Sequence, residues 1–384
     1  MDWKTWYQEH CCSAEEAVRR IQSGDRVVVA HATGEPSYIL DAMVANADQY
    51  ENVEIVHMVA MGKAEYCKPE YDRNFHHNSF FLGATTRAAA AEGRADFTPV
   101  FFSEIPSVLE EILHPNVAMI QVSPPDEHGY VSLGVSVDYT KTAAEVADLV
   151  IAQVNKQMPR TLGDAFLHVT QLDCIVETDL PVIELAPPKI RDVERGIGKN
   201  VAQLIRDGDT LQLGIGAIPD AVLLFLKEKN DLGIHSEMFS DGVVELVEAG
   251  NITNQKKTLH RGKSVATFLM GTRRLYDYVD NNPAVAMYPV QYVNDPYVIA
   301  HERQSGVHQL LRPDRHHGPG GVHLRRPAAD LRRRRPDRLR PGGQYEQGRP
   351  GHHGHALHHR RRQDLPRSSP SWTRAPPSPP PATT

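Results

Sequence analysis

The sequence predicts an α/β protein built as two similar open α/β domains, the second incomplete, followed by an irregular tail. Three observations carry this reading. Short apolar runs alternate with stretches of helical pattern over residues 1–300, which is how a mostly parallel sheet with helices on its faces is written. Residues 21–43, IQSGDRVVVAHATGEPSYILDAM, are echoed by residues 205–226, IRDGDTLQLGIGAIPDAVLLFL. Beyond residue 300 the composition changes abruptly.

In the first half, 25-DRVVVAH, 53-VEIVHMVA, 97-FTPVFF, 117-VAMIQVS and 149-LVIAQVN read as buried strands, and 36-PSYILDAMVANA as a helix. The stretch 181-PVIELAPPKI is rich in proline and reads as a joint. In the second half, 209-DTLQLGIG, 233-GIHSEMFS, 263-KSVATFLMG and 284-AVAMYPV read as strands, and 219-PDAVLLFLKEK as a helix. Both arms of the echo run from a helix end through Gly-Asp into a strand, a small-residue turn, a proline and an apolar helix. Proline suits a first helical turn, where its missing N–H costs nothing. Any two βα units share part of this pattern, so the order of features matters more than any single match. The predicted domains are 1–185 and 190–300, with 301–384 as the tail.

Apolar residues make up 40% of the 384, enough to fill real cores. The four cysteines show no paired zinc-type spacing and point to a reducing compartment. The N-terminus, MDWKTWYQEH, does not read as a signal peptide, and no apolar run approaches the ~18 residues of a membrane span. The expectation is a soluble cytoplasmic protein with no membrane partner. The net charge of −6 is composite: residues 301–384 carry 17 Arg against 6 Asp plus Glu, and the rest of the chain is strongly acidic. The tail also holds 13 Pro and 10 His, and no Lys, Ile, Phe or Met. It reads as disordered rather than as a nucleic-acid arm, because such an arm uses Lys and has no role for the interspersed His and Pro.

Three segments carry candidate chemistry. In 212-QLGIGAIPDAV a strand runs into Gly214, Ile215, Gly216, Ala217 and Ile218, and a helix begins near Pro219. Glycines admit a ligand close to the backbone, and a helix start offers free N–H groups. The third glycine of a dinucleotide fingerprint is absent, so alone this turn reads as a tight packing turn rather than a ligand site. In 235-HSEMFSDG, Glu237 ends an apolar run, where open parallel sheets bind ligands; alone it reads as a solvated strand-end carboxylate rather than a catalytic one. Asp241 is expected to cap the helix that starts at Gly242. The loop 123-SPPDEHGYVSLG either lines a cleft or is purely structural. His76, His77 and His128 have no metal-ligand spacing, and no metal site is expected.

Taken together, 92-EGRADFTPVFFSEIP, 121-QVSPPDEHGYVSLG, 153-QVNKQMPRTLGD, 212-QLGIGAIPDAV, 233-GIHSEMFSDGVVELVEAGNITN, 263-KSVATFLMG and 283-PAVAMYPVQYVNDP resemble the acetyl-CoA hydrolase/transferase family, in its 4-hydroxybutyrate and butyrate–acetate CoA-transferase branch. The resemblance spans nearly all of residues 1–300. It implies two similar α/β halves of the CoA-transferase type with the site between them. It places the family's catalytic glutamate on Glu237 and its coenzyme A-contacting turn on Gly214, Ile215, Gly216, Ala217 and Ile218. The implied reaction moves CoA between a butyryl-, 4-hydroxybutyryl- or propionyl-CoA and acetate through a glutamyl-CoA thioester. Coenzyme A and acyl-CoA are then substrates rather than tightly bound cofactors, and a short-chain carboxylate is the second partner. Acetyl-CoA hydrolysis, or an inactive remnant, are the alternatives. A homo-oligomer is compatible with the resemblance, and a nucleic-acid partner is not expected.

The relatives so resembled continue beyond Ala300 with a further glycine loop, S-G-V-G-G-Q. Residues 331–337, LRRRRPD, encoded as CTC CGG CGT CGG CGG CCA GAT, give that string when read one base later. The stretch 344-QYEQGRPGHHGHALHH, shifted the same way, reads N-M-S-K-G-G-R-A-I-M-A-M-P-S-T-T. The tail is therefore expected to be an out-of-frame product beginning near Ala300 to Glu302.

Overall fold

The computed structural model describes residues 2–302 and the backbone of Ser305–Gln309 and His323–Leu324. Both predicted α/β halves fall within one unit, Met1–Arg334. The predicted character of the tail lies outside the described residues.

The first half is a seven-stranded sheet, parallel throughout. Its strands are β1 (Arg26–Val29), β2 (Val53–His57), β3 (Phe75–Ser79), β4 (Ala95–Phe97), β5 (Val117–Val122), β7 (Leu149–Asn155) and β9 (Cys174–Thr178), in the spatial order β4-β3-β2-β1-β5-β7-β9. A short antiparallel pair, β6 (Tyr130–Ser132) with β8 (Phe166–His168), stands apart from it. Every residue of β5 and β7 is buried, as expected where both sheet faces are covered, and this is why those runs are apolar without alternation. The order reverses between β1 and β5, and a crevice at the carboxyl ends of strands forms at such a reversal.

Two strands of the large sheet were not legible as apolar runs. β3, FHHNS, is polar by sequence yet mostly buried, and β9 was read as part of no element. The expected strand at 97-FTPVFF is corrected: β4 ends at Phe97, and the chain turns through Pro99 into a 3-10 turn at Phe102–Glu104. Proline cannot donate to a ladder, and Phe97 and Phe101 are left exposed.

The second half is made of short parallel pieces. β10 (Thr210–Gln212) lies between β11 (Gly233–Ile234) and Ser305–Gln309; β12 (Met238–Phe239) pairs with β14 (Phe268–Leu269), and β13 (Ser264–Ala266) with β15 (Val285–Met287). The runs expected as single strands at 233 and 263 are thus each broken in two. The sequence echo is structurally real at its turns. Gly24 and Gly208 both hold φ +82, a conformation suited to glycine. In each, the following aspartate accepts a backbone N–H three residues back: Gln22 to Asp25 Oδ2 at 2.8 Å and Arg206 to Asp209 Oδ2 at 2.9 Å.

A continuous apolar core runs through both halves, with Val28, Ala118 and Val150 in the same cluster as Leu211, Val243 and Met287. Backbone hydrogen bonds stitch the seam: Leu269 N–H to Val135 O at 2.8 Å, Asp164 N–H to Met287 O at 2.8 Å and Met287 N–H to Leu162 O at 2.7 Å.

Candidate active site

The break in the 233–239 strand is made by Ser236. Its buried hydroxyl accepts the Leu213 N–H at 2.8 Å and donates to the Met238 carbonyl at 2.6 Å, so the chain bends between β11 and β12. Glu237 sits at that bend. Its carbonyl accepts the N–H groups of Thr267 and Phe268 at 3.1 and 3.2 Å, and its carboxylate Oε2 accepts from Asn294 Nδ2 at 2.7 Å. Burial pushes its carboxyl above the usual carboxylate range, and the repulsion of Asp138 adds to this; the Asn294 hydrogen bond and His31 pull the other way. Glu237 is half-buried and held by Asn294, unlike a freely solvated strand-end carboxylate.

His31 follows β1, at the reversal of strand order. Asp138 Oδ2 holds its Nδ1 at 3.1 Å and also accepts the Ser136 hydroxyl at 2.7 Å, while Asp138 Oδ1 accepts the Tyr139 N–H at 2.7 Å. The imidazole packs edge-on against Phe268 at 4.6 Å and Phe102 at 5.5 Å, and its Nε2 has no partner among the described residues. Ala32, Met238, Phe268 and Met270 form a small apolar cluster here, distinct from the main core. The site thus draws His31 and Asp138 from the first half and Glu237, Phe268 and Asn294 from the second. Sequence reasoning missed His31, Asp138 and Asn294. The available signal was the position of His31 just beyond a strand end, the same placement that drew notice to Glu237.

The glycine turn lies next door, because Leu213 bridges to Met238. Gly214, Ile215 and Gly216 line a cavity of about 250 Å³ with the 185–188 joint, Leu223 and Met238. Ala217 and Ile218 instead open the helix Ala217–Leu224 and do not line it. Gly216 has φ +122, which disfavours any side chain. Met238 is on the cavity wall and Glu237 is not.

Asp241 does not cap its helix. The cap position is Ser240, whose side chain makes no capping bond, and the Asp241 carboxylate instead accepts the Thr272 N–H at 2.9 Å and hydroxyl at 2.6 Å. The 123–134 loop is structural at Asp126, which accepts the His128 and Tyr130 N–H groups and binds Arg160. His76 pairs with Asp96 on the surface, His77 is buried with Nδ1 on the Ile55 carbonyl, and His128 lies exposed beside Glu127.

Most of the chain is similar to known proteins. Residues 1–187 match the acetyl-CoA hydrolase/transferase N-terminal domain, and residues 271–309 match the C-terminal domain of the same family. The chain is 62% identical over 300 residues to a 4-hydroxybutyrate coenzyme A transferase of Clostridium kluyveri, covering 78% of this chain and 70% of that one. It is 35% identical over 303 residues to a butyryl-CoA:acetate CoA-transferase of Anaerostipes caccae, covering 77% and 68%. Among solved structures, RipA from Yersinia pestis superposes with a TM-score of 0.77 at 35% identity, covering 80% of this chain and 74% of that one. A 4-hydroxybutyrate CoA-transferase from Porphyromonas gingivalis superposes with a TM-score of 0.71 at 41% identity, covering the same shares. Long identity across both halves, and the shared fold, show that this chain belongs to the acetyl-CoA hydrolase/transferase family.

Proposed function

We propose that the protein is a CoA-transferase that exchanges coenzyme A between a short-chain acyl-CoA and acetate, with Glu237 as the nucleophile. The observation that carries this is the Glu237 carboxylate: desolvated, raised in basicity, and held at one oxygen by Asn294. A carboxylate is a weak nucleophile in water, and partial desolvation with fixed orientation makes it a usable one. The free carboxylate oxygen attacks the thioester carbonyl, the C–S bond breaks, and a mixed anhydride forms as the CoA thiolate leaves. The thiolate then attacks the glutamyl carbonyl and releases the first acid, leaving a glutamyl-CoA thioester. An incoming carboxylate reverses the sequence. The names of the relatives favour transfer over hydrolysis, and butyryl-, 4-hydroxybutyryl- and propionyl-CoA are the donors to test first. The test is exchange between butyryl-CoA and acetate, and its absence in correctly framed protein would remove the reading.

Gly214 to Ile218 are taken as the coenzyme A-contacting turn, supported by the three of them that line the cavity beside Met238. Gly214 is the informative position, since an added Cβ there meets only Pro219 Cγ at 3.7 Å, an ordinary contact. Gly214→Val is expected to weaken CoA binding by about tenfold, or ~1.4 kcal/mol, with thermal stability unchanged. Unaltered CoA affinity in a titration would make the turn a packing feature.

The segment from about residue 300 is taken as out of frame. The break in likeness supports this: the Clostridium relative aligns over 300 residues and extends well beyond them. Sequencing genomic DNA across codons 298–305 is expected to reveal a single-base loss or gain. An intact frame would contradict it. Exchange assays belong on protein made from DNA whose frame there has been read.

A further inference from the structure

Asn294 reaches Glu237 from the end of a very short helix. That helix spans Val290–Val293, and Asn294 is its C-cap. A helix cannot satisfy its own last carbonyls, so something outside must. At Val293 the partner is a side chain: His235 Nε2 lies 3.0 Å from the Val293 carbonyl oxygen. His235 follows β11, bridges in parallel to Val265, and stands two residues before Glu237.

A carbonyl only accepts, so His235 Nε2 carries the ring proton and donates it to this bond. The imidazole is 4% exposed. Burial pushes its pKa down to about 4, and the charges of Lys257 and His260 act in the same direction, while the Val293 carbonyl pulls the other way. The ring is therefore neutral near pH 7, and its one N–H is the one on Val293. Its Nδ1 has no partner among the described residues.

These contacts close a loop around the nucleophile. The chain runs from His235 through Ser236 to Glu237, whose Oε2 accepts from Asn294 Nδ2 at 2.7 Å. Asn294 follows Val293, and Val293 returns to His235. Ser236 is itself fixed by Leu213 and Met238. Val293 is buried, so a carbonyl left without its donor there would be costly. Asn294 matters to Glu237 electrically as well as sterically. Its hydrogen bond and His31 lower the Glu237 carboxyl, against burial and Asp138. A slack Asn294 would therefore leave more of Glu237 protonated at a given pH.

We propose that His235 is a positioning residue, whose Nε2–H anchors Val293 and so sets where the Asn294 amide meets the Glu237 carboxylate. It acts through Asn294 and not on the substrate. This rests on the transferase reading of Glu237.

The experiment compares unaltered protein with His235→Phe, His235→Asn and His235→Gln in butyryl-CoA–acetate exchange across a range of pH. Phenylalanine keeps the bulk without a donor, asparagine is too short to reach Val293, and glutamine can place an N–H where Nε2 was. The Phe and Asn variants are expected to lower kcat about 10- to 100-fold, with KM for butyryl-CoA within about twofold. The acidic limb of their kcat profile should move up by roughly 0.5–1 pH unit. His235→Gln should recover most of the rate and the original limb. In an Asn294→Ala background, His235→Phe should lower kcat no further, because the group it positions is gone. Should the Phe variant fail to fold, the contrast between Gln and Asn decides. Equal rates for Gln and Asn, a lost rate with an unmoved limb, or full additivity with Asn294→Ala would overturn the role of His235 and leave the Glu237 reading intact. If the unaltered protein exchanges no CoA, the transferase reading fails and takes this inference with it.

Discussion

Replacement of Glu237 by glutamine is expected to reduce CoA exchange by at least about a thousandfold while leaving the fold in place. Glutamine fills the same volume and keeps an oxygen that can accept the Asn294 Nδ2 hydrogen bond, so the bend at Ser236 and the β12–β14 pairing should persist. What is lost is the anionic oxygen that attacks the thioester, and no neighbouring group replaces it. Asp138 is already occupied by His31, Ser136, Tyr139 and Thr140, and Asp241 by Thr272. The exchange rate and the Tm of the variant together check this. A variant that still exchanges CoA at a substantial fraction of the original rate would place the nucleophile elsewhere.

The second large effect is expected at Gly163, on stability. This glycine forms an isolated parallel bridge with Met287 and holds φ +111. An added Cβ would lie 2.3 Å from the Met287 carbonyl oxygen and 2.7 Å from its nitrogen, both backbone atoms that cannot swing aside. The backbone conformation itself also disfavours a side chain. Because Asp164 and Leu162 bond Met287 on either side, the clash falls on the seam that joins the two halves. Gly163→Val is therefore expected to cost on the order of 4 kcal/mol, seen as a large drop in the denaturation midpoint or as loss of soluble protein. By contrast Gly250, where an added Cβ meets nothing within 4 Å, should tolerate alanine with only its backbone strain to offset. A Gly163→Val protein as stable as the original would show that the seam is looser than described.

Much of the fold was legible because its central strands are buried on both faces. β1, β5 and β7 are plain apolar runs for that reason, and the repeated Gly-Asp turn before β1 and β10 follows from a backbone conformation that only small sets of residues adopt. β3 was not legible: His77 Nδ1 is paired with the Ile55 carbonyl and Asn78 with Glu54 and Thr98, so polar residues sit inside without any apolar signature. The broken strand at 233 was not legible either, because the break is made by one serine hydroxyl reaching Leu213, a residue more than twenty positions away. The same limit applies to the site. Glu237 and the glycine turn are local features at strand ends. His31, Asp138 and Asn294 join them only through the packing of two halves. Asp241 looked like a helix cap from local spacing, yet Thr272, distant in sequence, claims its carboxylate.

The most direct test of the account is to trap the intermediate. Protein incubated with butyryl-CoA and then reduced with borohydride should carry the alcohol derived from a glutamyl thioester at Glu237, found by peptide mass analysis and absent without acyl-CoA. Exchange that proceeds with Glu237 unmodified, or with the adduct on another carboxylate such as Glu35, would contradict it.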